Sequence, residues 1–343
     1  MAQLNYHIGN FEGNLNKMLA SVEEARQQGA DIVMFGELSV CGYPTRDFLE
    51  FDDFIRRCQA SVEALRAVSQ GIAIVVGAPT RNPVAAGKDL YNSAYFLYNG
   101  EILGVQHKAL LPTYDIFDEY RYFEPATEFN VIEFKGKKIA LSVCEDIWNV
   151  GNENPLYTIC PLDEMMPQQP DFILNISASP FDYAHAEARI HVVRTNIERY
   201  KIPLFYTNHT GSQTDVVFDG GSIVMSPDGN VFDEMPYFEE CLRVYDLDAV
   251  VKGGLDRPQP KDKIRLIHDA LVEGIKDYFA KLGFKKAILG LSGGIDSALT
   301  VVLAVRALGA ENVRVLLMPS QFSSDHSVND ARVLAQNLGV QYD

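Results

Sequence analysis

Three side chains that together could make an activated nucleophile stand at the ends of apolar runs in this sequence. Cys144 follows Ala140-Leu141-Ser142-Val143, Lys108 follows Val105-Gln106-His107, and Glu37 follows Ile32-Val33-Met34-Phe35-Gly36. Read as strands, these runs deliver a thiol, an ammonium and a carboxylate to loops, where reactive groups are commonly displayed. A thiol with an ordinary pKa near about 8.5 needs a cation or a base beside it to become a nucleophile. Taken one at a time the residues leave other readings open. A cysteine after an apolar strand is more often a core residue, Lys108 alone reads first as a solvated surface charge, and Glu37 alone also reads as a helix or loop charge. His107 is a rival base, although alternation along a strand turns it to the face opposite Lys108. Cys41, Cys58, Cys160 and Cys241 have no comparable context and read as structural.

A second constellation is Gly290-Leu291-Ser292-Gly293-Gly294-Ile295-Asp296-Ser297, set between Ala287-Ile288-Leu289 and Ala298-Leu299-Thr300-Val301. The pattern is strand, glycine turn, helix. Adjacent glycines let backbone N–H groups approach an anion, and the next helix aims its positive end at the same place. Ser292 and Ser297 add hydroxyl donors, and Asp296 is suited to a Mg²⁺ ion. The loop reads as a phosphate or pyrophosphate cradle, with a plain surface turn as the alternative. No Gly-Lys-Ser/Thr follows at Walker spacing.

The elements that must carry these groups alternate along the chain. Leu15, Met18, Leu19 and Val22 recur at helical spacing; residues 48–68 predict a helix and 72–76 a short strand. Asn99-Gly100 predicts a tight hairpin turn, Lys135-Gly136 a second, and Pro227-Asp228-Gly229 a third. Between them fall a strand at 172–176, a helix at 184–200 and a strand at 204–207. Crossovers mixed with hairpins imply packed sheets covered by helices. Glycines and prolines from Lys252 to Pro260 mark a linker. Beyond it come a helical segment, the glycine loop, a strand at 313–318 and a helix at 327–338. The expected division is 1–250, a linker at 251–260, and 261–343. The last part is short for a nucleotide-binding domain, typically about 100–150 residues, and is expected to be incomplete.

Composition narrows the function. The 343 residues carry a net charge of −16, which argues against nucleic acid as a partner. No run approaches the roughly 20 apolar residues of a membrane span, and no signal peptide is visible. Five scattered cysteines without a CxxC pair support neither a zinc site nor a disulfide framework, and fit a cytoplasmic enzyme with free thiols.

Phe35-Gly36-Glu37-Leu38 with Cys41-Gly42-Tyr43-Pro44, then His107-Lys108-Ala109-Leu110-Leu111-Pro112-Thr113-Tyr114 with Phe117-Asp118-Glu119, then Ser142-Val143-Cys144-Glu145-Asp146-Ile147-Trp148 resemble the three signatures of the nitrilase, or carbon–nitrogen hydrolase, superfamily. The resemblance covers residues 1–250. It implies an αββα sandwich and a Glu37–Lys108–Cys144 triad, with Glu119 as a supporting acid. The glycine loop resembles that of ATP pyrophosphatases, which implies a partial doubly wound parallel α/β domain. Together with Met318-Pro319-Ser320-Gln321-Phe322-Ser323-Ser324, the two halves resemble the bacterial glutamine-dependent NAD synthetase family.

That resemblance implies ammonia release from L-glutamine in the first domain. In the second it implies adenylation of nicotinic acid adenine dinucleotide by ATP with Mg²⁺, and amidation to NAD⁺. It also implies a cytoplasmic homo-oligomer. Tyr114 and Ser179 match positions that hold the glutamine head. His185 stands where the family usually carries Lys or Arg. If it pairs with the substrate carboxylate, glutamine KM rises as pH passes above about 7. The family's first strand usually has further apolar residues before Ala2, so this strand is expected to be short. Two other readings remain: a plain nitrilase-type amidase with an unrelated tail, and a catalytically silent chain acting through assembly.

Overall fold

In a computed structural model, residues 1–84, 86–254, 256–259, 262–321 and 323–343 are described, with the backbone alone at position 185. The chain forms two compact units: Met1–Gly211 with Phe218–Pro260, and Ser212–Val217 with Lys261–Asp343.

The first unit opens with β1 (Ala2–Gln3), α1 (Phe11–Gln27) and β2 (Ile32–Met34). Asn10 caps α1 by accepting the Gly13 N–H, as an N-cap side chain does. The single helix expected over 48–68 is instead a 3₁₀ turn, Arg46–Glu50, followed by α2 (Asp52–Ala67). Phe51 between them is extended, and Asp52 and Asp53 occupy the first turn of α2, where carboxylates complement the helix dipole. Next come β3 (Ala73–Arg81), β4 (Leu90–Tyr98) and β5 (Glu101–His107). The expected turn joins the last two, with Asn99 at φ 50° and Gly100 at φ 81°.

The strands β6 (Ile132–Phe134) and β7 (Lys137–Val143) form the second hairpin, turning through Lys135-Gly136. They lead to α3 (Pro161–Met165), β8 (Phe172–Ile176), α4 (His185–Tyr200) and β9 (Leu204–Thr207). Two short strands, β10 (Thr210–Gln213) and β11 (Val216–Asp219), precede the third hairpin, β12 (Ile223–Met225) and β13 (Val231–Glu234). The strand β14 (Cys241–Leu242) pairs antiparallel with β1, and α5 (Leu247–Lys252) follows. Residues 251 and 252 are therefore helical rather than part of a linker, while Leu255 and Pro260 lie outside the described residues.

The two main sheets are ordered β2-β3-β4-β5 and β13-β12-β9-β8-β7-β6. Met34, Val75 and Phe96 of the first meet Leu141, Val143, Leu174 and Phe205 of the second in the central core. On the outer face of the six-stranded sheet, Ile190, Val193 and Ile197 of α4 cover Ile173 and Leu204. Phe54, Ile55, Cys58, Val62 and Leu65 form the buried face of α2, which packs on β3. This is the expected αββα sandwich. In the parallel register Val143 aligns with Ile176 and Ile176 with Thr207, so β7, β8 and β9 end at one level. Cys144, the segment after Ile176 and Asn208 therefore emerge at a common edge.

The second unit contains α6 (Lys263–Leu282), β15 (Ala287–Gly290), α7 (Ile295–Leu308), β16 (Val313–Leu316), α8 (Asp325–Leu338) and β17 (Gln341–Tyr342). The strands are parallel in the order β15-β16-β17. Val301, Ala304, Val313, Val315, Ala331 and Ala335 make its core. The loop at 290–297 joins β15 to α7, as expected.

Candidate active site

Lys108 is the centre of the first unit's polar cluster. It leaves the end of β5, and its backbone is held by Asn92, whose carbonyl accepts the Lys108 N–H at 2.8 Å, and by Ala126, which donates to the Lys108 carbonyl at 3.0 Å. Its ammonium donates to Glu37 Oε1 and to Glu119 Oε1, both at 2.8 Å, and all three side chains are buried. Burial alone would lower the Lys108 pKa, but Glu119 and Glu37 outweigh it and hold the group well above its ordinary value. Lys108 is therefore a fixed cation.

Glu37 follows β2 in a segment that Gly36 makes possible. A Cβ at Gly36 would lie 2.3 Å from the His209 ring and 2.9 Å from the Ser177 carbonyl oxygen. The Glu37 N–H donates to Ser177 O at 3.3 Å, and its carbonyl lies 2.7 Å from His209 Nε2. The Glu37 carboxylate accepts from Asn92 Nδ2 at 2.7 Å and from the Ala178 N–H at 3.0 Å, besides Lys108. Glu119 accepts from Tyr43 OH at 2.8 Å. Burial raises its carboxyl to about 7, against the pull of Lys108.

Cys144 begins a 3₁₀ turn, Cys144–Ile147, directly after β7, and its φ is 43°. A side chain at positive φ is strained, and such strain collects at functional turns. The next two residues fasten this turn. Asp146 accepts the N–H groups of Ala109 and Leu110, both at 2.9 Å, which ties the segment after Lys108 to the cysteine turn. Burial raises the Asp146 carboxyl to about 7, although those bonds lower it. Glu145 accepts from Tyr114 OH at 2.9 Å and Tyr157 OH at 2.7 Å. Burial pushes the Cys144 thiol well up, Glu37 adds to this, and Lys108 opposes it. The sulfur thus rests as a neutral thiol within electrostatic range of both charges.

Ser179 is buried beside the same edge. Its N–H donates to Asn208 Oδ1 at 2.8 Å and its carbonyl accepts from Asn208 Nδ2 at 3.0 Å. Behind it, Arg189 and Asp219 form a fully buried two-pronged ion pair at 2.9 and 2.6 Å. Tyr114 is 42% exposed. The side chain of His185 lies outside the described residues. His107, the rival base, stacks on Tyr91 and places Nδ1 2.7 Å from Ser93 Oγ. Tyr43, Asn92, Glu145, Asp146 and Asn208 were not among the sequence-derived candidates. A polar Asn inside the apolar run from Leu90 to Leu97 is the one signal that could have drawn attention to Asn92. A cavity of about 560 Å³ borders β2, β8 and residues 242–248, and contains none of the candidate residues. One of about 300 Å³ opens on Tyr43, Glu119 and Arg121.

In the second unit, hydroxyls close the glycine loop. Ser297 Oγ accepts the Ser292 N–H at 3.2 Å and donates to the Gly294 carbonyl at 3.0 Å. The Gly294 N–H donates to Ser292 Oγ at 3.3 Å. Gly293 has φ 82°, and a Cβ there would lie 2.2 Å from the Ser327 carbonyl oxygen. A cavity of about 240 Å³ adjoins Gly290, Leu291 and Ser292 and is bounded by Met318, Ser323 and Ser327. Asp296 is exposed in the first turn of α7.

Residues 1–253 match the carbon-nitrogen hydrolase family model. The chain belongs to the carbon-nitrogen hydrolase family. Residues 267–343 match the NAD synthase model. Glutamine-dependent NAD(+) synthetases of Synechocystis sp. and Acinetobacter baylyi are 39% and 36% identical over 99% and 100% of this chain. The chain spans 62% and 61% of their lengths. The structure of glutamine-dependent NAD+ synthetase from Acinetobacter baumannii in complex with ADP matches at TM-score 0.89, with 34% identity over 100% of this chain and 63% of that one. An amidase from Nesterenkonia sp. AN1 shares the fold of 70% of this chain, covering 89% of its own, at TM-score 0.59 and 23% identity. Among the described residues no helix is long and apolar enough to cross a membrane.

Proposed function

We propose that this carbon-nitrogen hydrolase chain releases ammonia from L-glutamine in its first domain, residues 1–250. The observation that carries the reading is Lys108 bridging Glu37 and Glu119 beside a strained, neutral Cys144. Glu37 takes the thiol proton as the sulfur attacks the side-chain amide carbon of glutamine. Lys108 faces the oxyanion that forms, and removing such a donor typically costs on the order of 10²–10³ in rate. The carbon–nitrogen bond then breaks, and nitrogen leaves as ammonia with the proton held by Glu37. Water attacks the resulting thioester, Glu37 takes its proton, and the carbon–sulfur bond breaks. Glutamate departs and the sulfur regains a proton. Glu119 supports Lys108, while Tyr114, Ser179 and His185 hold the amino-acid end of the substrate.

The second part of the proposal concerns residues 261–343. The NAD synthase match and the glycine loop support use of that ammonia to amidate nicotinic acid adenine dinucleotide. ATP adenylates the nicotinate carboxylate with loss of pyrophosphate, and ammonia displaces AMP to give NAD⁺. Residues Gly290, Leu291, Ser292, Gly293, Gly294, Ile295, Asp296 and Ser297 form the pyrophosphate cradle. Among the described residues no group of three His, Cys, Asp or Glu could hold a metal ion. A single exposed carboxylate nevertheless fits Mg²⁺, which commonly binds one or two carboxylates plus substrate phosphates. Asp296 would hold the ion, whose charge neutralises the phosphates.

A cytoplasmic setting belongs to the same reading, supported by five free cysteines, as does a homo-oligomer, which light scattering would read. The test is to follow glutamate release and NAD⁺ formation side by side, with and without ATP, in the wild-type chain and in Cys144→Ala. Glutamate formation that requires Cys144 supports the reading. Activity retained in the variant, or none in the wild type, overturns it.

A further inference from the structure

The Glu37–Lys108–Glu119 cluster contains two carboxylates for one ammonium, and only one of them can serve as the base. Asn92, on β4, meets both acids with its side chain and the Lys108 backbone with its own. Its backbone carbonyl accepts the Lys108 backbone N–H at 2.8 Å. Its amide nitrogen donates to Glu37 Oε1 at 2.7 Å and faces Glu119 Oε2 at 3.5 Å. The side chain is fully buried, and among the described residues its Oδ1 has no hydrogen-bond partner. A buried amide normally satisfies both ends. Here the nitrogen is turned to the carboxylates, which accept and do not donate when ionised, so the cluster fixes the amide orientation.

We propose that Asn92 is a positioning residue that decides which carboxylate of the pair is ionised, keeping Glu37 as the anion and leaving the proton to Glu119. The contact lengths supply the asymmetry. Glu37 receives Asn92, Lys108 and the Ala178 N–H at 2.7, 2.8 and 3.0 Å. Glu119 receives Lys108 and Tyr43 at 2.8 Å each on one oxygen and, among the described residues, the 3.5 Å contact on the other. Donors to the charged form favour ionisation, so the better-served carboxylate gives up its proton first. The groups facing Glu37 from the surrounding elements are Lys108, Glu119, Tyr43, Cys144, Glu145 and His209. Asn92 is the uncharged side chain that contacts both acids.

The catalytic meaning rests on the proposed reading of Glu37 as the base for Cys144, but the charge assignment does not. Infrared difference spectra of the full chain between pH 6 and 8 read protonated carboxyl groups directly. In the wild type, we expect Glu119→Gln to remove the carboxyl band of this cluster. In Asn92→Ala, a band should survive Glu119→Gln and disappear on Glu37→Gln. Absence of that surviving band in folded Asn92→Ala overturns the inference; the near-isosteric Asn92→Leu, expected to show the same Glu37-dependent band, serves if Asn92→Ala does not fold. In turnover, the acid limb of the kcat/KM profile for glutamate release should move upward by about one pH unit in Asn92→Ala. Raising the pH should restore much of the rate, with glutamine KM within about two-fold of wild type. A uniform rate loss with an unmoved limb counts against the positioning role. Glutamate release surviving Cys144→Ala would instead overturn the proposed chemistry and leave the spectral assignment standing.

Discussion

The Ala178 N–H donates to Glu37 Oε2 at 3.0 Å across 141 residues of sequence. This bond joins the end of the four-stranded sheet to the end of the six-stranded one. Ser177, beside Ala178, accepts the Glu37 N–H, and Asn208 grips Ser179 from the next strand end. The carboxylate is thus positioned by both layers of the sandwich, and rigid-body slippage of either sheet would misplace it.

Cys144→Ala removes the proposed nucleophile from a turn whose fastening comes from Asp146 and Glu145 rather than from sulfur. Glutamate release should fall by about 10³-fold or more, with little change in the thermal midpoint. Coupled glutamate detection and a melting curve on the same preparation check both halves.

Lys108→Met leaves Glu37 and Glu119 buried without their cation. Breaking a buried ion pair by removing one partner costs about 3–5 kcal/mol. Acid should recover much of this, because protonation discharges the stranded carboxylates. Urea titrations at pH 5 and pH 8 should show a larger deficit at the higher pH, and equal deficits would contradict the charge argument.

Glu119 keeps its proton to about pH 7 in the folded chain, against an ordinary value of 4.5. Between those values the folded state binds more protons than the unfolded state, so its stability falls as pH rises. Asp146, raised from 3.8 to about 7, acts in the same direction. Glu119→Gln removes its own contribution and leaves that of Asp146. Its thermal midpoint should decline less steeply from pH 4.5 to 7 than that of the wild type, and parallel curves would show that Glu119 titrates normally.

Gly293→Ala places a methyl carbon 2.2 Å from backbone oxygen at Ser327 in a residue with φ 82°. Neither strain can be relieved by rotating a side chain, so the loop must shift. Binding of a fluorescent ATP analogue should weaken by at least about ten-fold, whereas Gly339→Ala, also at positive φ but with open space around it, tests strain without the clash.

The sequence exposed the strand ends because apolar runs stop abruptly at Val143 and before Glu37, and Asn99-Gly100 marks its own hairpin. It did not expose the break at Phe51, since the apolar pattern continues through it and the charges of Asp52 and Asp53 restart the helix. The sequence pattern also gave little indication of Asn92, Tyr43 and Asp146. Their work consists of hydrogen bonds to residues far along the chain, and a polar side chain in a strand carries no mark of the partner it will meet. Strand register meets part of this need: Ser93 opposite His107 sets Asn92 against Lys108.

Because the Cys144 sulfur rests buried and protonated, hydrogen peroxide finds little thiolate to attack. An idle molecule should therefore pass through oxidative stress with its sulfur intact, and damage should accumulate chiefly during turnover, when the proton has been moved. Substrate scarcity and oxidant exposure would then offset one another in setting how long the chain stays competent.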